Sequence, residues 1–266
     1  MMTKVCSRAV SALTLVCLAL SATACDIVTA DFKSQETAEW RKTYDLEPGG
    51  RVEIGNVNGR IQVEPSVGNK VEVVAVKVAK AGSPEAARQM LERIEIVESA
   101  SPSSIKIETK LPRGGGFMNM GGGEVRYAVK VPASADVRFV TTNGGVEMLG
   151  LKGRIFAETT NGGIQARDVS GPIEASTTNG GVDVDLTQVL EPGVKLECTN
   201  GGIKLRLPPD AKATISANIT NGGIDASGLN LDKSESTRRR LEARLNGGGP
   251  AISIRGTNGG IRIASR

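Results

Sequence analysis

The sequence predicts a mainly all-β chain: a single-stranded β-solenoid, or β-helix-like stack, that turns at Asn-Gly-Gly corners and carries one short covering helix. Three observations predict it. Asn-Gly-Gly recurs at Asn143, Asn161, Asn179, Asn200, Asn221 and Asn258, with spacings of 18, 18, 21, 21 and 37 residues, and such a period marks stacked structural units. The residues flanking each asparagine form apolar columns of period two, the pattern of strands with one buried face. The composition suits a thin core. Among 266 residues there are 33 glycines but one Trp, two Tyr and four Phe, so Val, Ile, Leu and Ala must fill the interior.

At the N-terminus, Lys4 and Arg8 precede an apolar run from Ala9 to Leu20 and the small residues Ala22, Thr23 and Ala24. This order predicts a secretory signal peptide over residues 1–24. The run is too short for a spanning helix, which needs ~20 apolar residues. Small residues directly before Cys25 resemble a bacterial lipobox, which makes Cys25 the expected lipidation site; ordinary signal-peptidase cleavage after Ala24 is the alternative. Acyl chains on Cys25 would supply stable membrane anchoring. Residues 25–43 then read as lipidated N-terminus and linker, and 44–266 as the solenoid domain, degenerate over 44–132 and regular over 133–266.

In the degenerate part, Val52, Ile54, Asn58-Gly59, Ile61 and Val63 repeat the corner pattern and predict a first rung. Val71 to Val78 follows as a strand. Ser83-Pro84-Glu85 is a helix start, with a cap, a proline at the first position and an early acid. Ala87, Met90, Leu91 and Ile94 share one face of that helix, which suits it to cover an open end of the stack. Ile94 to Val97, Ile105 to Thr109 and Glu124 to Val131 alternate as strands. Before the last of these, two glycine triplets enclose Phe117, Met118, Asn119 and Met120. No Walker lysine and no helix follow them, so the segment reads as a hairpin tip rather than a phosphate cradle. Its large apolar side chains, Phe117, Met118 and Met120, make it a candidate partner loop.

In the regular part, the residues six before each asparagine are Val137, Ile155, Ile173, Val194, Ile215 and Ile252. Those three after it are Val146, Ile164, Val182, Ile203, Ile224 and Ile261. Each unit is therefore a strand, a corner and a second strand. By alternation, every asparagine is expected to point inward, where its amide would serve corner backbone groups and the stacked asparagines of neighbouring rungs. Both glycines are expected at φ > 0, where a Cβ is costly. The column two before the asparagines, Thr141, Thr159, Thr177, Cys198, Ile219 and Gly256, also reads inward. Cys198 is then a small buried hydrophobe, while Cys6 and Cys17 leave with the signal. The threonines directly before the asparagines, from Thr142 to Thr257, read outward. Arg238-Arg239-Arg240 with Leu241 and Leu245 reads as a short helical insertion that lengthens the last spacing.

The chain contains no histidine, which removes the commonest general base and metal ligand. Asp183 and Asp185 are the best carboxylate pair for acid–base chemistry, but Gln165, Arg167, Lys204 and Arg206 on adjacent rungs place them in a charge-alternating surface ladder. No catalytic residue, cofactor or metal site is expected. The formal net charge of +4 falls by two once Lys4 and Arg8 are removed, too weak a field for nucleic acid.

Several features together resemble the bacterial DUF4097 family of candidate adhesins. They are the lipobox-like start, the Asn58-Gly59-Arg60-Ile61 rung, the Pro84-Glu85-Ala86-Ala87-Arg88 helix, the strand ending in Val131-Pro132, the Thr-Asn-Gly-Gly repeats and the terminal Thr257 to Ile263. The resemblance runs from about Tyr44 to the end and implies an adhesin-type solenoid with no catalytic residues. The expected protein is a non-catalytic, lipid-anchored component of the bacterial cell envelope, on the non-cytoplasmic side of a membrane. It would present a mixed-charge surface to an envelope protein, a glycan or a second solenoid by self-association. Two alternatives are a carbohydrate-active β-helix enzyme using Asp183 and Asp185, and an envelope-stress sensing component, a role that some members of the family imply.

Overall fold

Period-two alternation decides the architecture. The computed structural model describes residues 34–112 and 122–266; Cys25 and the Phe117, Met118 and Met120 loop lie outside the described residues. β1 (Ser34–Asp45) precedes a first rung made of β2 (Arg51–Asn58) and β3 (Ile61–Ser66), and β4 (Lys70–Ala81) leads into α1 (Pro84–Glu92). β5 (Glu95–Ser101), β6 (Ser104–Lys110) and β7 (Gly122–Pro132) follow; β6 pairs in parallel with β2, and β7 with β3. The repeats supply β8 (Asp136–Asn143) with β9 (Val146–Leu149), and β10 (Ile155–Asn161) with β11 (Ile164–Val169). Next come β12 (Ile173–Asn179) with β13 (Val182–Leu186), and β14 (Val194–Asn200) with β15 (Ile203–Leu207). β16 (Ala213–Asp225) runs unbroken through its corner, as does β19 (Ala251–Ser265); between them lie β17 (Leu231–Ser236) and β18 (Arg240–Leu245).

Rungs stack in parallel and in register. Ile155 pairs with Val137 on one side and Ile173 on the other, and Asn161 with Asn143 and Asn179, so like residues form columns. First strands of successive rungs build one wall and second strands the other. Alternate residues of both walls, among them Val137, Phe139, Val146 and Met148, are buried between them. Leu151, Val169, Leu186 and Leu207, at the far ends of the second strands or in the connections between rungs, are also fully buried. Burying a side chain of this size contributes ~1.5–3 kcal/mol, so the thin interior is stabilised by many small terms.

The last two repeats stack in an order that the chain does not follow. β14 and β15 pair with β19, and β19 in turn pairs with β16. The repeat nearest the C-terminus is thus inserted between its two predecessors, and the Asn221 rung is the terminal one. The columns carry a trace of this. Ile252, Ile254, Ile261 and Ile263 are all buried, whereas Ile224 and Ala226 of the end rung are only partly covered.

Antiparallel strands cover the ends of the stack. β5 lies on β6, β4 and then β1 lie beyond β7, and β18 and β17 lie beyond β16. The outermost strands are charged, with Glu39, Arg41 and Lys42 exposed on β1 and Asp232 and Lys233 on β17. Charge of this kind deters edge-to-edge pairing with another sheet. α1 starts as the sequence predicts: Ser83 Oγ accepts from the Ala86 N–H at 3.2 Å and Pro84 opens the helix. Ala87 is fully buried, and Met90 and Leu91 pack on the core beside β4 and β1.

Two expectations need correction. Residues 34–43, read as linker, belong to β1, which pairs with β4 from Ser34 opposite Ala81 to Asp45 opposite Lys70. Its half-buried side carries Ser34, Glu36, Ala38, Trp40 and Tyr44, too polar a row to show as apolar alternation. Arg240 to Leu245, read as helix, is a strand: Leu241, Ala243 and Leu245 are buried while Arg240 and Arg244 are exposed. Leu241 and Leu245 are four apart, a spacing that fits both periods, and Ala243 between them decides for period two.

Tyr127, 1% exposed, shares a 2.7 Å hydrogen bond with Thr109. Burial pushes its phenol from the ordinary 10.0 to about 12. Because the folded value lies above the unfolded one, this contribution is complete below pH 10 and is lost as pH rises toward 12. Tyr127→Phe is therefore expected to cost about 1–2 kcal/mol at neutral pH and to weaken the fall in stability across that alkaline window. Urea unfolding at a series of pH values measures both effects.

Candidate functional site

The corner is where local sequence makes an unusual surface. At Gly180 the backbone has φ +151°, and a Cβ there would sit 2.0 Å from the carbonyl oxygen of Gly162 on the preceding rung. No L side chain fits. The second glycine differs: a Cβ on Gly181 would meet Gly202 O at 3.4 Å, an ordinary contact, and Gly181 has no positive φ. The expectation that both glycines adopt φ > 0 is thus corrected: in the Asn-Gly-Gly corners only the first does so, at Gly162, Gly180, Gly201, Gly222 and Gly259, and at the Asn143 corner neither does. Backbone bonds tie adjacent corners. Gly144 N donates to Asn161 O at 2.9 Å, Gly162 N to Asn179 O at 2.8 Å and Gly180 N to Asn200 O at 2.9 Å.

The asparagines face outward, not inward as alternation implied; Asn143, Asn161, Asn179, Asn200, Asn221 and Asn258 are all exposed. The register shows why. Pairing passes from Thr159 opposite Thr141 to Asn161 opposite Asn143, and both Thr160 and Asn161 lie on the outer side. Alternation therefore breaks one residue before the bend. The amides bond to one another in the spatial order of the rungs. Nδ2 of Asn143 donates to Oδ1 of Asn58 at 2.7 Å, Asn161 to Asn143 at 2.8 Å, and Asn179 to Asn161 at 2.8 Å. Asn200 then donates to Asn179 at 2.9 Å, Asn258 to Asn200 at 2.8 Å and Asn221 to Asn258 at 2.9 Å.

Service to the corner from inside falls to the column two residues earlier. Thr159 Oγ1 donates to Gly144 O and Thr177 Oγ1 to Gly162 O, each at 2.9 Å. Cys198 Sγ donates to Gly180 O at 3.2 Å, and in the first rung Asn56 Nδ2 donates to Gly59 O at 3.0 Å. Cys198 is buried, as its column predicts, and burial raises its thiol pKa, so it lacks the thiolate character of a nucleophile.

The outward residues form an uncharged ridge along the stack. Thr142, Thr160, Thr178, Thr199, Thr257 and Thr220 run beside the asparagines, all exposed. Each laddered amide uses one N–H and one carbonyl lone pair, leaving a second of each for a partner. Successive rungs repeat these groups at ~4.8 Å. Charged columns flank the ridge: Glu158, Glu197 and Arg255 on one wall, and Asp183, Lys204 and Arg262 on the other.

Asp183 and Asp185 are held by arginines. Arg206 grips Asp183 with both terminal nitrogens, at 2.8 and 3.3 Å. Arg266 Nε stands 2.8 Å from Asp185 Oδ1, an ion pair without hydrogen-bond alignment, and also contacts Asp168. Among the described residues, no three His, Cys, Asp or Glu side chains gather as a metal site would require. One feature escaped the sequence reading: a shallow hollow of about 310 Å³ whose lining includes Phe156, Pro172, Pro192 and Lys195. The Arg138 guanidinium lies 3.8 Å from the Phe156 ring centre, a cation–π contact. The available signal was Phe156 itself, the one aromatic in an outward column of Arg138, Glu174, Lys195, Ser216 and Ser253.

The two polar columns differ in environment, and their substitutions should differ in cost. Thr177→Val leaves a part-buried glycine carbonyl without its inner donor and is expected to destabilise by about 1–3 kcal/mol. Asn179→Ala removes bonds that water can replace and should cost less than about 1 kcal/mol. Chemical denaturation of both variants checks the order, and the reverse order would contradict the outward placement of the ladder.

No curated protein matches the chain by sequence. Among solved structures, the chain is similar to a candidate cell adhesion protein from Clostridium sporogenes. The identity is 12%, the TM-score 0.48, and the match covers 86% of this chain and 100% of that one. It is similar to a candidate adhesin from Bacteroides fragilis at 12% identity and TM-score 0.30, over 86% and 97% of the two chains. A candidate lipid-binding protein from Parabacteroides distasonis matches at 10% identity and TM-score 0.23, over 88% and 98%. The family model described as Toastrack DUF4097 matches residues 91–264, well over half of the chain and all of the regular repeats, and the chain belongs to that family.

Proposed function

We propose that this protein is a non-catalytic recognition module of the bacterial cell envelope, an adhesin or surface scaffold anchored by lipid at Cys25 on the non-cytoplasmic side of a membrane. The observation that carries the recognition role is the continuous Thr–Asn ridge. It exposes hydroxyl and amide groups at a fixed repeat along the stack, with hydrogen-bonding capacity left over. A rigid, uncharged strip of this kind suits a partner that is itself repetitive and rich in hydrogen-bonding groups, such as an envelope glycan or an extended protein segment. Rigidity helps because little side-chain entropy remains to be lost on binding. The anchor rests on the order of residues before Cys25. An enzymatic reading has less support, since the best carboxylate pair is occupied by Arg206 and Arg266.

The test is a binding screen of residues 26–266 against peptidoglycan, surface polysaccharide, anionic lipid vesicles and detergent-solubilised membrane proteins. Saturable binding to one fraction is expected, weakened by at least about tenfold, or 1.4 kcal/mol, in the double variant Thr160→Glu, Thr178→Glu. Binding that ignores this change, or turnover of the glycan fraction, would overturn the proposal.

A further inference from the structure

The chain contains eight Asn-Gly pairs, seven at corners and one at Asn246-Gly247. This dipeptide is chemically prone to deamidation, because glycine leaves its own nitrogen unobstructed as it approaches the asparagine side-chain carbon. The reaction needs a side chain free to swing toward that nitrogen and a nitrogen not already committed to a carbonyl.

Inside the stack neither condition is met. Asn179 donates to Asn161 and accepts from Asn200, and Gly180 N donates to Asn200 O. Asn58, at the other end, donates to Gly123 O at 3.0 Å and accepts from Asn143, while Gly59 N donates to Asn143 O at 2.8 Å. Asn246 is held by Pro209 O at 3.1 Å and Ala211 O at 2.8 Å, and accepts from Asn230 at 3.3 Å. Asn221 is different because its rung is the last. Its Nδ2 donates to Asn258, but among the described residues no further asparagine follows to donate to its Oδ1, and Gly222 N has no following asparagine carbonyl. The β17–β18 hairpin bonds on both sides of this corner, through Ile219 N to Arg239 O at 2.9 Å and Ile224 N to Arg238 O at 3.0 Å, and passes over the four residues between.

We propose that Asn221 is the protein's site of spontaneous deamidation and that the amide ladder protects the other corner asparagines. Gly222 N attacks Asn221 Cγ and forms a new C–N bond. The Cγ–Nδ2 bond breaks, and ammonia departs carrying the proton from Gly222. Water then opens the succinimide at either carbonyl to give aspartate or isoaspartate, with no change of oxidation state. The new carboxylate cannot donate to Asn258 Oδ1. The end rung thereby loses the one bond that ties its asparagine to the ladder.

The experiment ages the folded full chain in mildly alkaline buffer and maps its peptides by mass, with a parallel sample in denaturant. Replacement of NH2 by OH, with isoaspartate, is expected at Asn221 faster by an order of magnitude or more than at Asn143, Asn161, Asn179, Asn200 or Asn258. In denaturant the corner pairs should react at similar rates. Equal rates in the folded chain would overturn the proposal. So would an Asn221 that stays intact while the denatured sample reacts, or an Asn221 preference that persists unchanged in denaturant.

Discussion

The close approach of backbone to backbone at the corner governs the rest of this structure. A Cβ on the first glycine of an interior repeat would sit 1.7 to 2.2 Å from a carbonyl oxygen of the neighbouring rung, so only glycine permits the rungs to close on one another there. Once they close, the parallel ladders on both walls fall into register and identical positions stack. The interior becomes a narrow slot in which β-branched and small side chains recur, and Tyr127 and Phe139 are the largest residues fully buried there. The polar features obey the same constraint. The inward threonines reach glycine carbonyls, and the asparagines reach one another, because each rung repeats the geometry of the last.

Much of this was legible in the sequence. Columns such as Val137, Ile155 and Ile173 announce the walls, Ser83-Pro84-Glu85 announces the helix, and the Asn58-Gly59 rung is found from its flanking apolar residues. Failures arose where period two is interrupted or weak. The bend at Thr160-Asn161 puts two consecutive residues outside, so extrapolating alternation through it turned the asparagines inward. β1 buries one side only partly, so its sequence looks like linker. Repeat alignment carries no information on stacking order, and the insertion of β19 between β14 and β16 was invisible to it except through the richer isoleucine columns of the last repeat.

Surface chemistry was the least legible layer. A charge column can be read as such from sequence, but whether Arg206 reaches Asp183, or Arg266 spans to Asp185 and Asp168, depends on rotamers and on the terminal strand lying next to β15. The same applies to the hollow beside Phe156, which needs neighbouring rungs for its walls. Regular repeats therefore specify scaffold strongly and partner weakly: selection for stacking fixes the corner and the interior, while the outward columns remain open to variation. The Thr–Asn ridge is an exception, an outward feature that is itself repeated.

The most direct test of the corner constraint compares Gly180→Ala with Gly181→Ala by chemical denaturation of the full chain. The two changes add the same methyl group to adjacent residues. Gly180→Ala combines a positive φ with a 2.0 Å clash and is expected to cost about 3 kcal/mol or more. Gly181→Ala meets only a 3.4 Å contact and should stay within about 1 kcal/mol of the parent, on the stabilising side if the loss of unfolded-state entropy dominates. Equal tolerance of both substitutions would contradict the claim that backbone approach at the first glycine holds the stack in register.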